Sequence, residues 1–127
     1  MILKDNLYII EGKNETDGLV TYSIKLCPEC FIYKAHFPDK PITPGVCLIQ
    51  MSKELLEDAA GEKLEIHSVK NVKFLSVVTP GEDTRLTVQI AKIRTKEKGE
   101  LSAQLTVQNG VETKAKLSLV FERYGHS

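Results

Sequence analysis

The chain is 127 residues long, with 42% hydrophobic and 27% charged side chains, the size and composition of one domain that folds without disulfide or metal staples. Disorder and collagen-like repetition are excluded. Seventeen basic residues balance seventeen acidic ones, so the overall charge points to neither nucleic acid nor an anionic membrane surface, and an acidic partner has to be met by a local patch.

The first segment, MILKDNLYIIEG, has neither the basic stretch nor the continuous apolar stretch of a secretory signal, which makes a cytoplasmic location the expectation. The longest apolar runs, such as Leu7–Ile10 and Val46–Ile49, are four residues, against about 20 for a membrane span. Leu7–Ile10 predicts a short strand and Gly18–Leu26, rich in β-branched and aromatic residues, a second. From Cys27 to Thr43 three prolines predict irregular chain. Thr43-Pro44-Gly45 then offers a helix start, with a hydroxyl at the N-cap and proline at the first helical position. The helix is apolar on nearly every side at Val46, Cys47, Leu48, Ile49 and Met51, amphipathic from Lys53, and stops at Gly61. Strands follow at Leu64–Thr79, Thr84–Arg94, Glu100–Gln108 and Val111–Arg123, the last three alternating apolar and polar residues. Asn109-Gly110 predicts a type I′ hairpin between the last two. No repeat or linker interrupts residues 1–127, so one domain is expected. A single helix so apolar at its start needs an antiparallel sheet wrapped around it, and a second copy of the chain to close what the sheet leaves open.

The densest chemistry lies in His36-Phe37-Pro38-Asp39-Lys40-Pro41-Ile42-Thr43-Pro44-Gly45-Val46. A proline-stiffened loop ending at a helix start brings unpaired amides and the positive end of the helix dipole to one place, which suits a developing oxyanion, and His36 is a candidate base near neutral pH. Gly45 permits close approach to that backbone. Together they fit proton abstraction beside a thioester carbonyl.

This stretch resembles the HFPxxPxxPGV signature of the hot-dog-fold (3R)-hydroxyacyl-[acyl carrier protein] dehydratases. Lys73-Phe-Leu-Ser-Val-Val-Thr-Pro-Gly-Glu-Asp-Thr84 is similar to the family's KFxxPVxPGDxL segment, departing from it at Val77, Glu82 and Thr84. The resemblance implies an α+β hot-dog fold, an antiparallel β-sheet wrapped around one central α-helix, in a homodimer or assembly of dimers with the acyl chain in a tunnel at the subunit interface. It implies no cofactor, and acyl carrier protein as the partner that delivers the substrate. It makes His36 the catalytic histidine, has the Gly45 amide polarise the thioester carbonyl, and puts Phe37, Val46 and Phe74 against the acyl group. The family's helix acid stands fourteen residues after the histidine, where this chain has Gln50, and the Gln that follows four residues later is here Glu54. Three readings follow: Gln50 holds the hydroxyl or a water while His36 makes all proton transfers, Glu54 acts through a water, or activity is reduced or absent. Ala35 and Asp39 also depart from the family's glycines.

Dehydration of (3R)-3-hydroxyacyl thioesters to the trans-2-enoyl products is therefore the expected activity. The rivals are an acyl thioesterase of the same fold and a catalytically silent homologue that binds acyl-carrier protein or pairs with an active subunit. Lys34, Lys40, Lys73 and Arg85 are candidates to meet an acidic carrier. Cys27-Pro28-Glu29-Cys30 has the spacing of half a zinc site or a redox pair, but no second CxxC or HxxxH accompanies it; with three cysteines in all, reduced thiols and no metal are expected. His67 and His126 receive no role.

Overall fold

The computed structural model describes residues 2–35, 37–96 and 99–123. The elements, in chain order, are β1 (Tyr8–Thr16), β2 (Leu19–Leu26), α1 (Phe31–Ala35), α2 (Gly45–Ala60), β3 (Leu64–Phe74), β4 (Arg85–Thr95), β5 (Glu100–Asn109) and β6 (Glu112–Arg123). The six strands form one sheet in the order β1-β2-β4-β5-β6-β3, with every neighbouring pair antiparallel. Period-2 alternation decides which face is inside: Leu86, Val88 and Ile90, then Leu101, Ala103, Leu105 and Val107, then Ala115, Leu117, Leu119 and Phe121 are all buried. They form one core with Cys47, Leu48, Met51, Leu55 and Leu56 of α2, so the sheet encloses the central helix, the α+β hot-dog arrangement that the sequence resemblance implies.

Polar contacts fix the helix on the side the core does not reach. Tyr8 and Tyr22, from β1 and β2, donate their hydroxyls to Glu54 Oε1 at 2.9 Å and Asp58 Oδ2 at 2.5 Å. At the far end Gly61 takes φ +69° and returns its amide to the Glu57 carbonyl, a left-handed cap that glycine adopts without steric cost. The Glu57 carboxylate then accepts the Leu64 amide at 2.9 Å, tying the helix end to β3.

Several local expectations are corrected. Thr43 does not cap α2: Pro44 is the N-cap, no side chain bonds there, and the Thr43 hydroxyl pairs with Tyr33 at 2.8 Å instead. The stretch from Cys27 to Thr43 contains the short helix α1, whose Ile32 and Tyr33 are buried. The first strand runs to Thr16 because polar residues 11–16 pair with β2, which alternation of apolar residues does not reveal. The last hairpin turns one residue later than predicted: Asn109 pairs with Glu112, and Gly110, at φ +58°, opens the turn.

β3 ends at Phe74 rather than Thr79 because the chain there is captured by β6. The amides of Leu75 and Ser76 both bond to the Lys114 carbonyl, at 2.8 and 3.2 Å. The Lys114 ammonium, on a side chain that is nearly buried, reaches Asp83 at 3.2 Å, Glu112, Ser76 Oγ at 3.3 Å and the Val77 carbonyl at 3.2 Å. Burial opposes ionisation of Asp83, but the Thr79 amide, Asn109 and Lys114 together outweigh it and hold the carboxyl below its usual range. A depressed carboxyl stabilises the fold above its unfolded value of about 4, and that contribution is lost as the pH falls through the folded value. Asp83→Asn is expected to cost about 3 kcal/mol in urea unfolding at pH 7, because the ammonium loses its buried counter-charge. The gap between wild type and variant should close as the pH is taken below about 4.

Candidate active site

The loop into α2 carries visible strain. Phe37 sits at φ +62°, a left-handed conformation that costs a bulky residue about 1–3 kcal/mol. A turn closed by the Lys40 amide on the Phe37 carbonyl, at 2.9 Å with Pro38 inside it, holds it there. His36, the expected base, lies outside the described residues.

From that turn the chain is fixed twice before the helix begins. The Thr43 amide bonds to the Val78 carbonyl at 2.7 Å, and the Thr43 hydroxyl pairs with Tyr33. Burial pushes the Tyr33 phenol up to about 12, against a lowering by the Thr43 contact, so it stays protonated near neutrality. The helix then starts at Gly45 without a side-chain cap; the Cys47 and Leu48 amides bond back to the Pro44 carbonyl at 2.9 and 3.3 Å, and the Gly45 and Val46 amides have no intrahelical acceptor.

Gly45 and Phe74 meet directly: a methyl group on Gly45 would lie 2.7 Å from the Phe74 ring. The absence of a side chain at Gly45 is therefore used by Phe74, from the end of β3, rather than left as open space for a ligand. Val46, Phe74, Leu75 and Val77, at or close in sequence to the two sides of this contact, are all more than half exposed, with Val46 at 68%, and so is Phe37 in the loop before the helix. Exposed large apolar side chains on both sides of the Gly45–Phe74 contact mark a binding or assembly surface. Gln50 stands one turn after Val46, and both line the side of α2 that the sheet does not cover, where a groove of about 820 Å³ runs past Gln50, Lys53, Glu54 and Glu57. The Glu54 carboxylate accepts four hydrogen bonds, from the Leu3 and Lys4 amides, Tyr8 and Gln50 Nε2.

The structure thus brings together Gly45, Val46 and Phe74, and sets Gln50 and Glu54 in mutual contact. Of the candidate cations, Lys34, Lys40 and Lys73 are exposed, while Arg85 is engaged with Glu11 at 2.9 Å. A basic cluster not anticipated from sequence lies on the outer face of the sheet: Lys70, Lys92, Arg94 and Lys96 line a depression of about 300 Å³ floored by Ser102, Gln104 and Ser118. A bulge builds it. The register skips from Ala91 to Arg94, Lys92 takes φ +52°, Ile93 packs against the core, and Lys92 and Arg94 both emerge outward. Sequence alternation points Lys92 inward, so only the bulge reveals the cluster.

Cys27, Cys30 and Cys47 are free thiols, and burial raises Cys27 and Cys47 above the usual thiol range, the opposite of an activated thiol. Among the described residues no three His, Cys, Asp or Glu side chains converge to hold a metal. His67 bridges Glu100 and Glu122 at 3.2 and 2.9 Å from the β3 bulge; His126 lies outside the described residues. Among those residues no helix is long and apolar enough to cross a membrane.

Residues 12–116 match the ApeI-like family, described as ApeI dehydratase. The chain is 36% identical over 103 residues to the 3-hydroxyacyl-[acyl-carrier-protein] dehydratase FabZ of Clostridium acetobutylicum, covering 74% of this chain and 69% of that enzyme. It is 34% identical over 71 residues to FabZ of Caulobacter vibrioides, where the match covers 49% of this chain and only 45% of the relative. Among solved structures, the dehydratase heterocomplex ApeI:P from Xenorhabdus doucetiae superposes with TM-score 0.69 at 20% identity, over 91% of this chain and 97% of that one. The PaaI protein of E. coli superposes with TM-score 0.65 at 14% identity, over 98% and 85%. A hypothetical thioesterase from Streptococcus pneumoniae, solved with coenzyme A, does so with TM-score 0.66 at 14%, over 94% and 87%. These structural likenesses are likenesses of fold.

Gly45→Ala forces the Phe74 ring off the helix start. Its expected cost is about 1 kcal/mol, because the displaced ring is half exposed and can swing. Phe74→Ala added to it should recover the difference relative to Phe74→Ala alone, read as thermal midpoints of the four proteins.

Proposed function

The chain belongs to the ApeI-like dehydratase family, and from that premise we propose that it removes water from (3R)-3-hydroxyacyl chains carried on acyl carrier protein, giving the trans-2-enoyl thioester. The setting is fatty-acid or related lipid and polyene synthesis in the cytoplasm. The observation that carries the reading is the exposed Val46 beside the Gly45–Phe74 contact at an uncapped helix start, entered by a loop whose exposed Phe37 is held in a strained turn.

An acyl chain lies against the apolar patch, and the thioester carbonyl takes its hydrogen bond from the Gly45 amide at the positive end of α2. Enolate charge gathering there makes the α-proton removable by His36. Elimination of a 3-hydroxyl is redox-neutral and needs no cofactor. The exposed patch and the open side of α2 are closed by a second copy, so the working unit is a homodimer or an assembly of dimers.

The carrier is an acidic partner docking on the basic cluster of Lys70, Lys92, Arg94 and Lys96. Outward cations built by a strained bulge support this surface over the dispersed Lys34, Lys40 and Lys73. A thioesterase reading shares the fold, and its product distinguishes it.

Purified protein is incubated with a (3R)-3-hydroxyacyl-carrier protein and followed by intact mass. The expected result is loss of one water, slowed by about 10²-fold or more in His36→Ala. Accumulation of free carrier thiol would replace this reading with hydrolysis. The double variant Lys92→Glu/Arg94→Glu is expected to raise KM for the carrier-bound substrate by about 10-fold with kcat unchanged, and to weaken the dependence of kcat/KM on salt. Unchanged KM would move carrier docking elsewhere.

A further inference from the structure

Cys27-Pro28-Glu29-Cys30 takes no part in the reaction proposed above, and the fold closes it into a turn. The Cys30 amide donates to the Cys27 carbonyl at 3.0 Å, with Pro28 and Glu29 exposed between them. A turn of this kind brings its first and last Cα atoms within about 7 Å, and a disulfide spans about 4.4–6.8 Å between Cα atoms. Both ends are anchored. The Cys27 amide bonds to the Leu7 carbonyl at 2.8 Å where β2 stops, and the Cys30 carbonyl accepts the Tyr33 amide at 3.0 Å as α1 begins.

The two thiols differ in access. Cys27 is half-buried and Cys30 buried, so a reagent arriving from solvent meets Cys27 first, with Cys30 behind it. Cys47 of α2 is buried too, and it lies close enough to Cys30 that Cys30 opposes its ionisation. All three cysteines of the chain therefore gather where β2, α1 and α2 meet. Burial, and after it Glu29, raises the Cys27 thiol. Such a thiol attacks slowly, and as a poor leaving group it resists reduction once it is joined.

We infer that Cys27 and Cys30 are a redox modification site, a latch that a small disulfide such as oxidised glutathione closes across the turn. The Cys27 thiolate attacks the reagent's disulfide, forming a mixed disulfide and releasing one glutathione thiolate. The Cys30 thiolate then attacks the Cys27 sulfur, and the second glutathione leaves. Two protein thiols are oxidised, one glutathione disulfide is reduced, and the two protons given up by the protein end on the two glutathione thiols. The latch acts on α1. It ties the start of that helix to the end of β2, and Tyr33, three residues after Cys30, carries the restraint to the Thr43 hydroxyl at 2.8 Å, in the chain that enters α2. A bridge across a turn that already has the right spacing removes freedom mainly from the open states of the segment.

The test starts from fully reduced protein, freed of reductant and incubated with excess oxidised glutathione at about pH 8, where thiolates form. The expected product is lighter by two hydrogens, with both located in tryptic peptide 26–34, which holds Cys27 and Cys30; excess dithiothreitol restores the starting mass. Cys30→Ser should stop at the mixed disulfide on Cys27, and Cys47→Ser should close the bridge as the parent does. In the bridged protein the Tyr33 and Thr43 amides, followed by NMR, should exchange with solvent about 10-fold more slowly. Amides of β4 and β5 serve as the unchanged reference. A parent that stays unbridged, a bridge from Cys30 to Cys47 instead, or exchange at Tyr33 and Thr43 that is unchanged or faster would each overturn the inference. No readout depends on turnover, so the latch and the dehydratase reading fail separately.

Discussion

One buried ammonium sets the geometry on which the site depends. Lys114, on β6, reaches Asp83, Ser76 Oγ and the Val77 carbonyl, and so grips the loop after β3 at both ends. That loop holds Val78 where its carbonyl accepts the Thr43 amide, and it begins at Phe74, whose ring lies on Gly45. The helix start and the strand end are thereby referenced to the same cation. An isolated charge at this depth is prohibitive, and it is tolerated because every direction it faces is answered by an oxygen. Such a network is rigid in the sense that matters for catalysis: donors must be aimed before the charge develops.

The architecture leaves a specific incompleteness. The sheet covers the inner side of α2 completely, with Met51, Leu55 and Leu56 fully buried, yet Val46 is two-thirds exposed on the same helix. Apolar surface is left open just where the helix dipole and unpaired amides emerge. In a domain this well packed elsewhere, that opening reads as a binding or assembly surface, not as a packing defect.

Much of this was legible in the amino-acid order, for physical reasons. Strict alternation in β4, β5 and β6 reports a sheet with one buried face, and Pro44-Gly45 with Gly61 brackets a helix whose ends depend on backbone conformation alone. In sequence Gly45 offers room for a ligand, whereas in the structure its space is taken by a ring twenty-nine residues away in sequence. The hidden features share one property, which is that they arise from long-range contacts or from breaks in periodicity. Lys114 in an alternating strand looks like a solvated lysine until Asp83 arrives beside it. Lys92 reads as inward-pointing until the bulge turns it out. Thr43 has the composition of a cap, but the buried Tyr33 hydroxyl competes for it and wins. Glu54 in the polar half of a helix looks solvated, and its four donors come from residues 3, 4, 8 and 50.

The central claim is that this site adds and removes water at the third carbon of an acyl thioester, and microscopic reversibility allows it to be read backwards. A trans-2-enoyl-carrier protein is incubated with the chain in water enriched in oxygen-18, and the label is located by mass spectrometry. The account predicts one heavy oxygen in the 3-hydroxyacyl group, with the thioester intact. Label found only in a released carboxylate, or none at all beside a known dehydratase that incorporates it, would contradict it.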